Sequence, residues 1–257
     1  MVVQFFTKHI PYSRFFILNI ELYDRYKWLI PLKCFTRIDP SVWELKNNRE
    51  YSNIDKLVNL VPKIKGNVEI SIDYPSDMNP KFENEFIEKT YEFNKRFRDN
   101  PHYTKTLQYG MLDFESFCFE LNRLDDLGID WSQNTLGIGN LCRLFRYSRK
   151  NPNLKSYKKY TFVQQITCKI SKFVQQNNVK SIHLYGIGID VIKDLVCGLD
   201  DSNGLAIGID TTKWTRSIDS ALKRKYGLNS TTSNLQFYFW DYMYRIVSEL
   251  YPKRVVW

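Results

Sequence analysis

Three aspartates in this chain, Asp39, Asp73 and Asp210, each stand at or shortly after the end of an expected strand, where a carboxylate can do chemistry. Gly204–Ile209 leads into Asp210-Thr-Thr-Lys-Trp-Thr-Arg216. Ile70-Ser-Ile leads into Asp73, and Asp39 opens Asp39-Pro-Ser-Val-Trp43. A fourth run, Ser181–Gly188, ends in the glycine-bearing turn Tyr185-Gly-Ile-Gly. Runs of this length are too short for helices and fit buried parallel strands, which deliver side chains to a site at their C-terminal ends. Carboxylates so placed are candidates for nucleophile and general acid/base. They are equally candidates for helix caps and turns: Asp39 precedes Pro40, and Asp73 precedes Tyr74-Pro75.

The elements that would position them alternate along the chain. Strands are expected at Phe15–Asn19, Trp28–Phe35, Val68–Tyr74, Thr106–Met111, Thr135–Asn140, Ser181–Ile187, Leu205–Asp210 and Leu235–Trp240. Helical patterns fall between and after them at Lys81–Arg98, Asp113–Leu127, Thr161–Asn177, Val191–Gly198, Arg216–Tyr226 and Asp241–Tyr251. Eight such units in 257 residues match one α/β domain, a (β/α)8 TIM barrel spanning residues 1–257. An open doubly wound sheet is the competing fold, but it lacks a GxGxxG after the first strand. In a barrel the residues to read are those at strand ends, which adds Gln108, Thr135–Asn140 and Tyr185–Gly188 to the aspartates. Carboxylates, aromatic rings and exposed backbone around one mouth suit a flat ring that offers N–H groups.

Composition narrows the partners. The net charge is +9, and basic residues from Arg143 and Arg146 to Lys172 alternate with Phe145, Tyr147, Tyr157 and Tyr160, a mixture suited to phosphate contact and base stacking. A solvated loop and helix face is the plainer account of the same stretch. No run reaches the length of a membrane span, and the first residues lack a signal-peptide pattern. The five cysteines are scattered, with no CxxC pair, so a reducing, cytoplasmic setting without a metal centre is expected.

With these residues in place the chain resembles the tRNA-guanine transglycosylase superfamily, whose members exchange guanine for a 7-deazaguanine within a polynucleotide. Five motifs carry the resemblance, in order, over roughly residues 30 to 227. Asp210-Thr-Thr-Lys-Trp-Thr-Arg216 keeps the spacing of Asp-Cys-Val-x-Pro-Thr-Arg, which implies Asp210 as covalent nucleophile. Asp39-Pro-Ser-Val-Trp43 is similar to Asp-Ser-Gly-x-Tyr/Phe, which implies Asp39 as acid/base and Trp43 as a stacking face. His183-Leu-Tyr-Gly-Ile-Gly188 resembles Tyr-Leu-Met-Gly-Val-Gly and sets Tyr185 and Gly186 against the base. Ile72-Asp73-Tyr-Pro resembles Leu-Asp-Ile-Pro, which implies that Asp73 reads the guanine edge. Thr135-Leu-Gly-Ile-Gly-Asn140 resembles Gly-Leu-Ala-Val-Gly-Glu, so Thr135, Leu136 and Gly137 would complete base recognition, with Gln108 a further candidate. Gly204–Gly208 copies that last motif more literally, but it runs straight into Asp210 and is read as a core strand.

The departures sharpen the expectation. The family's zinc cluster of three Cys and one His is absent, so the barrel is expected without that subdomain and without cofactors. Asp219 stands where the tRNA enzymes carry a second arginine. Leu136–Arg143 resembles the Gly-x-Gly-Ser-Val-Cys-Arg-Arg segment of the DNA-modifying branch of phages and genomic islands. The expected partners are therefore DNA in preference to tRNA, a free 7-deazaguanine base and a possible second copy of the chain, with no membrane. Lys213, Arg216, Arg143 and Arg146 are the expected phosphate contacts. His183 is expected to be a packed strand residue. A tRNA-directed transglycosylase and a catalytically silent nucleic-acid-binding barrel are the alternatives.

Overall fold

The structure, a computed structural model, describes residues 2–6, 14–40, 42, 44–141, 152–187, 189–199, 204–210 and 254–256. The chain is an α/β protein in which every strand pair among the described residues is parallel. Strands β1 (Val2–Phe6), β5 (Lys105–Leu107), β6 (Thr135–Ile138), β7 (Ser181–Leu184), β8 (Ala206–Asp210) and β9 (Arg254–Val256) form one sheet, in the order β5-β6-β7-β8-β1-β9. Strands β2 (Phe15–Asn19), β3 (Phe35–Asp39) and β4 (Val68–Ile70) form a second sheet in chain order.

The sheets meet where β4 approaches β5. Ile70 N–H donates to His102 O (2.8 Å) and Thr104 N–H to Ile70 O (2.9 Å). Two residues on, a side chain replaces the ladder: the Asn94 amide donates to Thr106 O (2.8 Å) and accepts from Thr106 N–H (3.0 Å). That arrangement satisfies buried backbone groups that a neighbouring strand would otherwise pair. Among the described residues no ladder joins β1 to β2, so the ladders make two parallel sheets and not one closed eight-stranded barrel.

Period-2 alternation gives the strands two different faces. Leu107, Leu136, Ile138, Ile182, Leu184, Ile207 and Ile209 pack into one aliphatic core with Phe117 and Leu121 of α4 (Phe114–Asp125), Val163 and Ile166 of α5 (Pro152–Gln176), and Leu195 of α6 (Ile189–Cys197). Ile38, Ile70 and Ile72 form a second core with Leu57 of α2 (Ile54–Leu60), which follows the short α1 (Tyr23–Tyr26). The side chains on the other face are polar, small or aromatic: Arg37, Glu69, Thr104, Thr106, Thr135, Gly137, His183 and Gly208.

The helices carry their own start and stop signals. Asp113 caps α4 by accepting from Ser116 N–H at 3.0 Å. Helix α3 (Glu83–Arg96) has Glu83 and Glu85 in its first turn and Lys95 and Arg96 in its last, matching the helix dipole.

Several expected elements move. The run Trp28–Phe35 is not a strand: Lys27–Leu32 is a 3-10 turn containing Pro31, with Trp28 63% and Leu32 71% exposed. The strand begins at Phe35, and Asp39 is its last residue. Strand β1 had no counterpart among the expected elements. The expected Leu235–Trp240 strand and the helices at 216–226 and 241–251 lie outside the described residues. No helix among the described residues is long and apolar enough to cross a membrane.

Candidate active site

Parallel pairing brings all strand C-termini to one end. The register sets Asn19 beside Asp39 and Phe6 beside Asp210. Asp73 follows β4 by three residues, Gln108 follows β5 directly, and Tyr185-Gly186 follows β7 directly.

Asp210 is held through one oxygen. Its Oδ1 accepts from Gly186 N–H at 3.0 Å and lies 3.1 Å from His183 Nε2. Gly186 turns its amide toward Asp210 from the left-handed region (φ +65°), where a side chain would be strained. His183 fits because β8 has a glycine opposite it: a Cβ on Gly208 would sit 2.4 Å from His183 Nδ1. The Asp210 side chain keeps about a fifth of its surface exposed (21%), while His183 keeps none.

Asp73 is buried, at 5% exposure. Ser71 Oγ donates to its Oδ1 (2.9 Å) and Gln108 Nε2 to its Oδ2 (3.2 Å). Burial pushes its carboxyl up to about 6, and the negative charges of Asp210 and Asp77 act in the same direction against the Ser71 hydrogen bond. Ser71 links the two aspartates: it bonds Asp73 and faces the Tyr185 hydroxyl, and the residue after Tyr185, Gly186, bonds Asp210. Tyr51 is tied to Asp73, its hydroxyl donating to Asp73 O at 2.6 Å, and burial, then Asp73, and more weakly Asp39, hold its phenol well above the ordinary range. Asp39, at the end of β3, is half-buried.

Tyr185 supplies the aromatic surface. Its ring is partly exposed, crosses the His183 ring at 4.5 Å, and covers Gly137, where a Cβ would meet it at 2.8 Å. The hydroxyl is buried, facing Ser71 and Thr106 without a hydrogen bond of good geometry. Gln108 is packed on Gly139, where a Cβ would lie 2.3 Å from Nε2, and its Oε1 accepts from Ser76 N–H at 3.3 Å. Asn140 donates from Nδ2 to Tyr109 O at 2.6 Å and to Ser76 Oγ, fixing the loop that carries Gly139.

The expected site residues thus separate. Asp210, Asp73, Gln108, Tyr185 and Gly186 come together, with Asp39 at the end of β3. Two others do not reach the rim. The Thr135 hydroxyl donates to Glu69 Oε1 (2.7 Å) on the buried polar face, and Leu136 packs in the aliphatic core. Gly137 lies beneath the Tyr185 ring. Trp43, Arg143, Arg146, Lys213 and Arg216 lie outside the described residues. Sequence reasoning missed the part played by His183, which is packed in its strand as expected and also contacts Asp210. It also missed Gly139, which seats Gln108. No cluster among the described residues could hold a metal ion.

What this arrangement can do follows from its parts. Asp73 presents acceptor oxygens in a dry recess. Asp210 presents a more exposed carboxylate tethered by one oxygen, and Tyr185 offers a ring face. The acceptor oxygens of Asp73 have the chemistry to take hydrogen bonds from a heterocycle with adjacent N–H donors, and the Asp210 carboxylate has the chemistry to attack an electrophilic carbon. Comparison of the chain with protein-family models, curated proteins and solved structures gave no match in any of the three.

Proposed function

We propose that the protein is a base-exchange transglycosylase that replaces guanine in DNA with a 7-deazaguanine derivative, such as 7-cyano-7-deazaguanine. The observation that carries this reading is the pairing of a buried, hydrogen-bonded Asp73 with a tethered, partly exposed Asp210 at one strand end. The residue motifs that resemble guanine transglycosylases place the same two aspartates in base reading and in attack.

In this account Asp73 accepts hydrogen bonds from guanine N1–H and the exocyclic amine, using lone pairs left by Ser71 and Gln108. An Asp210 oxygen attacks C1′ of the deoxyribose while the C1′–N9 bond breaks. The bonding pair leaves with the base, and Asp39 delivers a proton to it. The free 7-deazaguanine then attacks C1′ through N9, gives its proton to Asp39, and displaces Asp210. Two displacements retain the configuration at C1′. Tyr185 and Trp43 stack on the extruded base, at about 1–3 kcal/mol per ring, offsetting an unstacking cost of a few kcal/mol.

The same reading takes the two sheets as parts of a single (β/α)8 domain without a zinc subdomain. The run of neighbours from β2 to β4, through the Ile70–Tyr103 bridge to β5 and on to β8 and β1, is consistent with it, with β9 paired on the other edge of β1. So is the placing of Phe6 of β1, whose ring lies 5.4 Å from Phe15 of β2 and 6.0 Å from Phe35 of β3. The net charge of +9 favours a polyanionic substrate in a cytoplasmic setting, free of the membrane, and a second copy of the chain is a further candidate partner.

Incubation with radiolabelled guanine and either DNA or tRNA tests the proposal. Label in DNA is the expected result. Label in tRNA alone moves the substrate to RNA, and binding to nucleic acid without label in either identifies a silent binding protein.

A further inference from the structure

We propose that His183 is a positioning residue for Asp210, its Nε2–H fixing Oδ1 so that Oδ2 is the oxygen that attacks. This rests on the transferase reading above and specifies the atom that reading leaves open.

A carboxylate only accepts hydrogen bonds, so the ring nitrogen 3.1 Å from Asp210 Oδ1 must carry the hydrogen. The ring has one hydrogen to give, because it is neutral. Burial holds His183 down to about 4, and the positive charge of Arg37 acts in the same direction, against the opposing pull of Asp210 and Glu69. Those are the charged groups that face it, from β3, β8 and β4, with Tyr185 adjacent on its own strand. Nδ1 is therefore a bare lone pair, and it is buried without a hydrogen-bond partner. An unpartnered acceptor beside a guanidinium is tolerable where an unpartnered N–H would be repelled.

The ring is also fixed in place. Phe6 meets it edge-on at 5.1 Å, Tyr185 crosses it at 4.5 Å, and Gly208 gives it room that any side chain would remove. Oδ1 thus has two rigid donors, the His183 ring and the Gly186 amide. No described residue bonds Oδ2. Two donors on one oxygen draw charge there and set the carboxylate plane, which aims the other oxygen. During attack the Oδ2 lone pair forms the bond to C1′, and the C1′–N9 pair leaves with the base. The hydrogen on His183 Nε2 stays where it is, so His183 adds no limb to the pH–rate profile above about pH 5.

The test combines a spectrum with kinetics. In ¹⁵N-histidine protein, one of the three rings should be the Nε2–H tautomer and stay neutral from pH 8 to pH 5. Its signal should vanish in His183→Gln and shift in Asp210→Asn. A His183 ring that protonates near pH 6.5, or carries its hydrogen on Nδ1, overturns the proposal.

In guanine exchange, His183→Gln, whose amide can still donate, should stay within about tenfold of the parent. His183→Phe should lose on the order of 100-fold in kcat with KM for DNA unchanged. Equal losses in both variants, or a loss confined to KM, would also overturn it. If His183→Phe does not fold, His183→Asn, with a shorter amide, replaces it under the same criteria. Should the parent protein exchange no guanine while its ring stays neutral, the transferase reading fails and the His183–Asp210 bond stands. Exchange with a titrating ring has the opposite meaning.

Discussion

In the layer of the polar face that runs through Arg37 and Glu69, opposite charges meet. Arg37 lies 3.0 Å from Glu69, whose two oxygens also accept from Thr104 (2.8 Å) and Thr135 (2.7 Å). The Arg37 guanidinium lies over the Phe6 and Phe35 rings. Nearer the strand ends, Asp73 and Asp210 repel one another, and among the described residues neither has an arginine or lysine partner. Both layers are largely buried, with Asp73 5% exposed and the Asp210 side chain 21%, so exposure alone does not account for the difference. A fold that needed only stability would neutralise the upper layer as it does the lower. Uncompensated like charge is costly to keep and marks the layer where a ligand must supply what the protein withholds.

The comparison can be broken from either side. The largest effect belongs to the rim: Asp210→Asn should reduce guanine exchange by on the order of 10⁴-fold or more while leaving the fold intact by circular dichroism. Next comes the lower layer. Arg37→Ala strands Glu69 in a dry site and should cost about 3–5 kcal/mol in denaturant unfolding, whereas replacing both partners by apolar residues of similar volume should cost far less.

Asp73→Asn should do the reverse. Asp73 has a folded value of about 6 against 3.8 for the free group, so its ionisation in the fold costs about 3 kcal/mol, present in full above pH 6 and gone below about pH 4. Asp73→Asn should therefore be more stable than the parent at pH 7.5, by up to ~3 kcal/mol, while losing guanine binding. His183, held at about 4 against 6.5, contributes the opposite slope: stability falls as pH drops from 6.5 toward 4. The two oppose each other over much of one window, and Asp73→Asn should leave the acid decline unmasked and steeper in thermal melts at pH 4 to 7. Base binding by the parent should weaken below about pH 6, as Asp73 takes up a proton. The smallest effect is Gly139→Ala. Its methyl displaces the Gln108 amide from Asp73 and should weaken guanine binding by about tenfold in calorimetry, from loss of one hydrogen bond to a charged group.

Much of this was legible in the chain because the aliphatic faces of the strands are continuous. Ser181–Leu184 and Ala206–Asp210 were placed to within a residue or a few, and with them Tyr185 and Asp210. What failed did so for physical reasons. Hydropathy reading equates burial with apolarity, yet Phe35-Thr-Arg-Ile-Asp39 is a buried strand whose second face is polar, so the more apolar Trp28–Leu32, in which Trp28 and Leu32 are exposed, outweighed it. His183 was expected to pack in its strand and does; what hydropathy did not reveal is its contact with Asp210, one strand away. Nothing local reveals that Glu69, sixty-six positions earlier, takes the Thr135 hydroxyl. The glycines at 137 and 208 were the available signal, since each leaves a gap that a large side chain on the next strand fills.

The central claim is that Asp210 attacks a sugar carbon while Asp73 holds the base. Its most direct test is to mix the protein with guanine-containing DNA, quench in denaturant, digest, and map any protein–DNA adduct by mass spectrometry. The account predicts a deoxyribose ester on Asp210 that is absent from Asp210→Asn and discharged by added free base. An adduct on another residue, or one that persists in Asp210→Asn, would contradict it.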